Sequence, residues 1–291
     1  MPQRIGVCSW SLQPASAADL VAKVRRAGCR GVQLALDPIR LDHWGEIETV
    51  NHLNAAGIEI ISGMMGMEGE DYSTLQSIAR TGGVRPDATW PVNLAAAKAN
   101  AALAHRLGLK LVTFHAGFIP HDRDDRERAI MLGRLRELVD VFDARGVRVA
   151  FETGQENADT LLEALADLDR PHAGVNFDPA NMILYGMVGG GGPIAALKKL
   201  GRRVAQVHIK DATPATTADA WGEETPAGTG EVDWPAFFAA LREIPIAGDL
   251  LIEREAGGSR EADIVQAREL VERHMGGGAP RPAGAIERND D

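Results

Sequence analysis

Cysteine is scarce: two residues in 291, Cys8 in an apolar run and Cys29 at the end of a helical stretch. No disulfide framework is therefore indicated, and a reducing compartment suits the chain. Long apolar runs are absent too, because no window approaches the roughly 18 residues of a membrane helix. The opening Met-Pro-Gln-Arg-Ile-Gly-Val-Cys-Ser-Trp lacks the apolar stretch and cleavage site of a signal peptide, and a cytoplasmic location is expected. Positive charge is short: 31 Lys and Arg stand against 41 Asp and Glu, a formal net charge of −10. Binding a phosphate backbone takes many cationic contacts, so neither nucleic acid nor a membrane surface is an expected partner. No Gly-x-Gly-x-x-Gly follows the first apolar run, where Cys8-Ser9-Trp10-Ser11 stands instead. That disfavours an open doubly wound dinucleotide sheet.

What is present is an ordinary globular composition, 45% hydrophobic and 25% charged with 32 glycines, in a length that one large domain can hold. Apolar or β-branched runs recur at residues 5–10, 31–36, 58–62, 109–115, 147–152, 174–177, 204–210 and 249–253. Amphipathic stretches rich in Ala, Leu, Glu and Arg follow them at about 17–27, 43–56, 91–107, 125–145, 158–168, 193–200, 234–242 and 260–274. Gly28, Gly57, Gly108 and Gly146 stand where helices should stop. This alternation predicts an α/β fold, a single-domain (β/α)₈ TIM barrel over residues 1–275, with a disordered Gly- and Pro-rich tail over 276–291. Three connections, 63–90, 185–192 and 211–233, are longer than the fold needs, and all follow strands, so they belong to the face that carries active sites. Gly189 to Gly192 lacks the Lys-Ser/Thr partner of a phosphate loop and reads as a connector without ligand.

In such a barrel a polar residue at the last position of a strand points into the open mouth, whereas mid-strand it is buried. Glu152, Asp178, His208 and Glu253 fall at or near the ends of the last four strands in order. Three carboxylates crowded with one imidazole repel unless protons or a cation compensate them. A single divalent metal ion answers that need. Oxygen-rich ligation with one nitrogen and no thiolate suits Mn²⁺ first, with Mg²⁺ and Co²⁺ compatible, better than structural zinc. Such an ion polarises a carbonyl, and Glu152 or Glu253, ligating through one oxygen, keeps the other to take the adjacent carbon-bound proton and give an enediolate. His115 closes Val-Thr-Phe-His and Lys210 and Asp211 follow His208, so these three are expected at the mouth as hydroxyl-binding or supporting groups, or else as structural ones. Trp10 and Trp221 flank strand-to-helix connections, where an aromatic face suits a sugar ring; Trp221, beside Glu223 and Glu224, is a lid candidate. Lys210 and Arg254 are the only basic residues expected there, which favours an unphosphorylated substrate.

At these residues the chain resembles the xylose isomerase-like barrels, in particular the sugar phosphate isomerase/epimerase group of ketose 3-epimerases, inosose isomerases and hydroxypyruvate isomerases. Phe-Glu-Thr-Gly at 151–154, Asn-Phe-Asp-Pro-Ala-Asn at 176–181, His-Ile-Lys-Asp at 208–211, Gly-Thr-Gly-Glu-Val-Asp at 228–233 and Leu-Ile-Glu-Arg-Glu at 251–255 carry the resemblance, which spans about residues 4–272. It implies that Glu152, Asp178, His208 and Glu253 bind one catalytic metal and that the two glutamates serve as acid and base. Many relatives, the DNA-repair nucleases among them, have His three residues after the aspartate. Here Asn181 stands at that place, a poorer metal ligand that speaks against a multi-metal phosphodiesterase and is counted among the substrate-binding candidates. The resemblance further implies a metal-dependent isomerase or epimerase of a ketose or ketocyclitol sugar, and a homodimer or homotetramer. A 3-keto-glycoside lyase or hydrolase using the same enolate, and a sugar-binding barrel without catalysis, are the competing readings.

Overall fold

Eight parallel strands close on themselves in a computed structural model that describes residues 3–217, 220–244 and 248–275. In chain order the strands are β1 (Ile5–Cys8), β2 (Gly31–Ala35), β3 (Glu59–Met64), β4 (Leu111–Phe114), β5 (Arg148–Glu152), β6 (Gly174–Phe177), β7 (Val204–Ile209), β8 (Asp211–Thr213), β9 (Glu223–Thr225) and β10 (Asp249–Ile252). The barrel runs β1-β10-β7-β6-β5-β4-β3-β2, and β8 and β9 form a separate antiparallel pair outside it. The expected TIM barrel is thus the observed fold. The eight barrel strands depart from their predicted ends by at most two residues. The tail expected over 276–291 lies outside the described residues, among which no helix is long and apolar enough to cross a membrane.

The helices form for local reasons. Helix Ala17–Arg26 starts at Ser16, whose hydroxyl accepts the Asp19 N–H, and buries Ala17, Leu20 and Val24 at helical spacing. Full burial of a residue such as Leu20 contributes roughly 1.5–3 kcal/mol. Gly28, Gly57, Gly108 and Gly146 all have φ between 66° and 72°, the left-handed conformation that ends a helix without a Cβ penalty.

The departures from prediction lie in the connections. The first strand stops at Cys8, and Ser9–Leu12 forms a turn of 3₁₀ helix. Two serines hold it there: Ser9 Oγ accepts the Ala35 N–H at 2.8 Å and Ser11 Oγ accepts the Arg254 N–H at 2.9 Å. Within 63–90 a further helix, Leu75–Thr81, is opened by a reciprocal cap between Thr74 and Ser77. Gly189–Gly191 is a short turn leading into helix Gly192–Leu200.

The barrel interior carries a polar layer that supports its upper end. Ser62 Oγ donates to Gln206 Oε1 at 2.6 Å, and Gln206 Nε2 donates to Asn176 Oδ1 at 3.2 Å. Gln33 Nε2 donates to Thr113 Oγ1 at 2.8 Å. All five of these side chains are buried, so each hydrogen bond avoids the cost of an unpaired polar group, and the network fixes the orientation of each amide.

Candidate metal centre

Four neighbouring strands, β5, β6, β7 and β10, deliver one group each to the mouth. Glu152 is the last residue of β5 and His208 lies one before the end of β7, while Asp178 and Glu253 directly follow β6 and β10. Asp178 is also the cap of the short helix Pro179–Leu184: its Oδ1 accepts the N–H groups of Ala180 and Asn181 at 2.8 and 3.0 Å, which turns Oδ2 toward the other three residues. All four are buried. Their ligand atoms lie within 4.8 Å of one another. His208 Nδ1 stands 3.5 Å from Glu152 Oε1, 3.7 Å from Asp178 Oδ2 and 3.4 Å from Glu253 Oε2.

The orientation of the His208 ring follows from its surroundings. Its Nε2 lies 2.8 Å from Gln33 Oε1, and the Gln33 amide is oriented by the bond from its nitrogen to Thr113. Nε2 therefore donates to Gln33, with Asn176 Nδ2 also 3.0 Å away, and Nδ1 is the nitrogen that faces the carboxylates. Burial opposes the charge of this imidazole, but Glu253 and Glu152 outweigh it and hold the group well above its ordinary pKa. Nδ1 and Asp178 Oδ2 are both buried and both lack a hydrogen-bond partner. In the metal-free protein the compensating cation beside Oδ2 is the proton on Nδ1, less than 4 Å away, and a divalent ion held by these atoms would displace that proton and be held by Nδ1 and Oδ2 together. Donor atoms around a hard divalent ion stand about 3 to 4 Å apart, so the residues present fit such an ion.

The remaining sequence candidates divide into two groups. Trp10 donates its indole N–H to Glu253 Oε1 at 2.9 Å, so its polar edge, not only its ring, serves the site. Asn181 Nδ2 donates to Glu152 Oε1 at 2.8 Å, and Lys210 Nζ donates to Glu253 Oε2 at 2.9 Å. His115 Nε2 lies 3.8 Å from Glu152 Oε2, with Tyr72 set edge-on to its ring. Trp221 packs against Tyr185 with ring centroids 4.8 Å apart. Asp211 is not brought into the cluster. Its carboxylate accepts the N–H groups of Ala212, Gly228, Gly230 and Val232 and the Trp234 indole, knitting the connection from 211 to 233 together. The structure adds supporting residues that sequence reasoning missed: Gln33 behind His208, Asn176 donating to Glu152 Oε2 at 3.2 Å, and Thr153, whose hydroxyl accepts the Asp178 N–H at 2.8 Å. The available signal was a Gln or Asn in the middle of an otherwise apolar strand, which in a closed barrel has to find a buried partner.

The charges are unevenly balanced. Burial opposes ionisation of Glu253, but Lys210 and then His208 outweigh it and hold the carboxyl well below its ordinary range. Burial likewise opposes ionisation of Glu152, and the charges of His208 and His115 overcome it. At Asp178 burial prevails over Lys210 and the carboxyl is pushed up. The cations of the chain thus compensate two of the three carboxylates, and the third is the one with the orphaned oxygen.

Glu156, four residues beyond Glu152, is a separate buried carboxylate that burial pushes up to about 7, although it accepts the Ile119 N–H at 2.9 Å. A raised carboxyl pKa means that the folded protein binds more protons than the unfolded chain between the ordinary value of 4.5 and about 7, so stability falls as pH rises through that window. The difference corresponds to roughly 3 kcal/mol at pH 8. Glu156→Gln retains an acceptor for Ile119 and removes the titration. Thermal melts are expected to show the variant gaining on the wild type from pH 5 to pH 8, and parallel curves across that range would refute the assignment.

The profile of the xylose isomerase-like TIM barrel family matches residues 21–274. Among solved structures, a xylose isomerase domain protein from Planctomyces limnophilus is 33% identical, aligned over 87% of this chain and 91% of that one with a TM-score of 0.81. D-allulose 3-epimerase from Methylomonas sp. is 18% identical over 94% of this chain and 99% of that one, TM-score 0.69. A xylose isomerase-like TIM barrel protein from Mycobacterium smegmatis in complex with magnesium is 17% identical over 94% and 96%, also with a TM-score of 0.69. These last two likenesses are likenesses of fold. No curated protein matches the sequence.

Proposed function

The chain belongs to the xylose isomerase-like TIM barrel family, and from that premise we propose that it is a divalent-metal-dependent isomerase or epimerase of an unphosphorylated ketose or ketocyclitol. The observation that carries this reading is the meeting of Glu152, Asp178, Glu253 and Nδ1 of His208 in one buried cluster at the barrel mouth. Mn²⁺ is the ion we favour, with Mg²⁺ and Co²⁺ compatible with the same donor set. When bound there, such an ion supplies Lewis-acid polarisation of a substrate carbonyl.

The chain's own groups supply the rest. Glu152 or Glu253 takes the proton from the carbon beside the carbonyl, and the resulting enediolate is reprotonated at the same carbon or at its neighbour. Trp10 holds Glu253 in place through Oε1, and Asn176 and Asn181 hold Glu152 through both oxygens, so each base keeps a fixed orientation. His115, beside Glu152, is the donor we assign to a substrate oxygen. The lack of phosphate is argued from charge: Lys210 is already engaged by Glu253 and Glu255, and Arg254 by Glu224 and Asp263, leaving neither cation free for a phosphate group.

Incubation of the Mn²⁺-supplemented protein with a panel of free ketoses and ketocyclitols in D₂O, followed by NMR, tests the reaction. Deuterium is expected at the carbon next to the carbonyl in at least one of them, with a new isomer or epimer of conserved mass. Release of an aglycone from a 3-keto glycoside would move the assignment to a lyase. Ligand binding with no deuterium incorporated anywhere would leave a binding barrel.

A further inference from the structure

Lys210 stands where a cation and a metal ion compete. Its ammonium lies 2.9 Å from Glu253 Oε2, the oxygen turned toward His208, and 4.0 Å from the orphaned Oδ2 of Asp178. It is buried, so little solvent screens it from anything bound in the cluster. A divalent ion among the same oxygens would face a fixed positive charge at close range, in a setting where such repulsion is strong. A second berth exists alongside. Glu255 Oε2 is already 2.8 Å from the same ammonium, and Glu224 Oε2 is 3.9 Å away. Glu224 is itself anchored, its other oxygen accepting from the Arg254 guanidinium and the Glu255 N–H.

We propose, on the metal reading made above, that Lys210 is a built-in counter-ion exchanged for the metal. In the metal-free protein its ammonium compensates Glu253 and Asp178. On loading it leaves Glu253 and settles between Glu255 and Glu224, which carries a donor from the cluster to its rim. The device keeps an uncompensated set of buried carboxylates from unfolding the empty barrel, and it sets the affinity for the ion lower than the four ligands alone would give. Glu255 accordingly acts through Lys210 and not as a ligand.

Mn²⁺ titration by calorimetry, paired with thermal melts of the metal-free and Mn²⁺-loaded forms, tests the exchange. Lys210→Met is expected to bind Mn²⁺ about tenfold more tightly, about 1.4 kcal/mol, while its metal-free form melts lower than the wild type and its loaded form does not. Glu255→Gln, at a side chain that is half exposed, is expected to weaken Mn²⁺ binding severalfold, and to have no such effect when combined with Lys210→Met. Unchanged or weaker Mn²⁺ binding by Lys210→Met overturns the exchange and leaves Lys210 as a support for Glu253. An equal effect of Glu255→Gln in both backgrounds also overturns it, since the carboxylate would then act only through its field. A wild-type protein that takes up no divalent ion overturns the metal centre as well, and is told apart by the wild-type titration alone.

Discussion

Asp178→Asn is expected to abolish tight divalent metal binding while leaving the metal-free protein at least as stable as the wild type. The two oxygens of Asp178 have different tasks. Oδ1 caps the helix Pro179–Leu184 by accepting two N–H groups, and Oδ2 faces Nδ1 of His208 at 3.7 Å. Asparagine keeps the capping oxygen and puts an uncharged NH₂ group in place of Oδ2. The substitution removes a buried carboxylate whose ionisation is opposed by its burial, and with it an oxygen that has no hydrogen-bond partner. A donor amide facing the ion has the wrong polarity for a ligand. Changes behind metal ligands already cost about 10- to 100-fold in affinity, so loss of a direct ligand is expected to exceed about 100-fold. Deuterium exchange into substrate should fall with it. Elemental analysis and Mn²⁺ titration measure the first effect, and thermal melts with and without Mn²⁺ the second. Retention of one ion per chain at wild-type affinity would remove Asp178 from the metal centre. Asp178→Ala serves as the contrast: it should lose metal too, but with about 1 kcal/mol of stability from the missing cap.

Asp211→Ala is expected to be the most damaging substitution to stability, at about 3 to 5 kcal/mol, without touching a metal ligand. Asp211 is buried and its two oxygens receive four backbone N–H groups and the Trp234 indole, from 1 to 23 positions along the chain. Hydrogen bonds to a charged acceptor are each worth more than neutral ones, and donors stranded in the interior add their own penalty of about 1 to 3 kcal/mol before the loop rearranges to find water. For a domain of this size the loss corresponds to a fall in Tm of about 10 °C. Because β9, paired with β8, carries Glu224, which tethers Arg254, the connection should loosen as a unit and become more open to proteolysis. A variant melting within about 2 °C of the wild type would show that the clamp is dispensable.

Asp211 also marks a boundary in what the chain announces about itself. In His-Ile-Lys-Asp the strand ends at Ile209 and side chains alternate, so Lys210 and Asp211 part company: one enters the cluster and the other turns to the loop. Sequence position placed both at the mouth. Trp10 is a similar case, since its place after the first strand was readable but its indole hydrogen bond to a glutamate on β10's end was not. Helix Leu75–Thr81 was hidden because seven residues carry too short a pattern to separate from a loop. Gln33, Asn176 and Gln206 were visible as polar residues in apolar strands, but their partners were not.

Strand and helix periods, glycine stops and the polar residues closing the last four strands are local features, each decided within a few positions, and they carried the closed parallel barrel and the four groups at its mouth from the amino-acid order alone. Which nitrogen of His208 faces the carboxylates, which carboxylate oxygens are held and which are orphaned, and where Lys210 rests depend on neighbours remote along the chain. Gln33 lies 175 positions from His208, Trp10 lies 243 from Glu253, and Asn176 lies 24 from Glu152. Hydrogen bonds read distance in space, and only the closing of the barrel brings β1 against β10 and sets those distances.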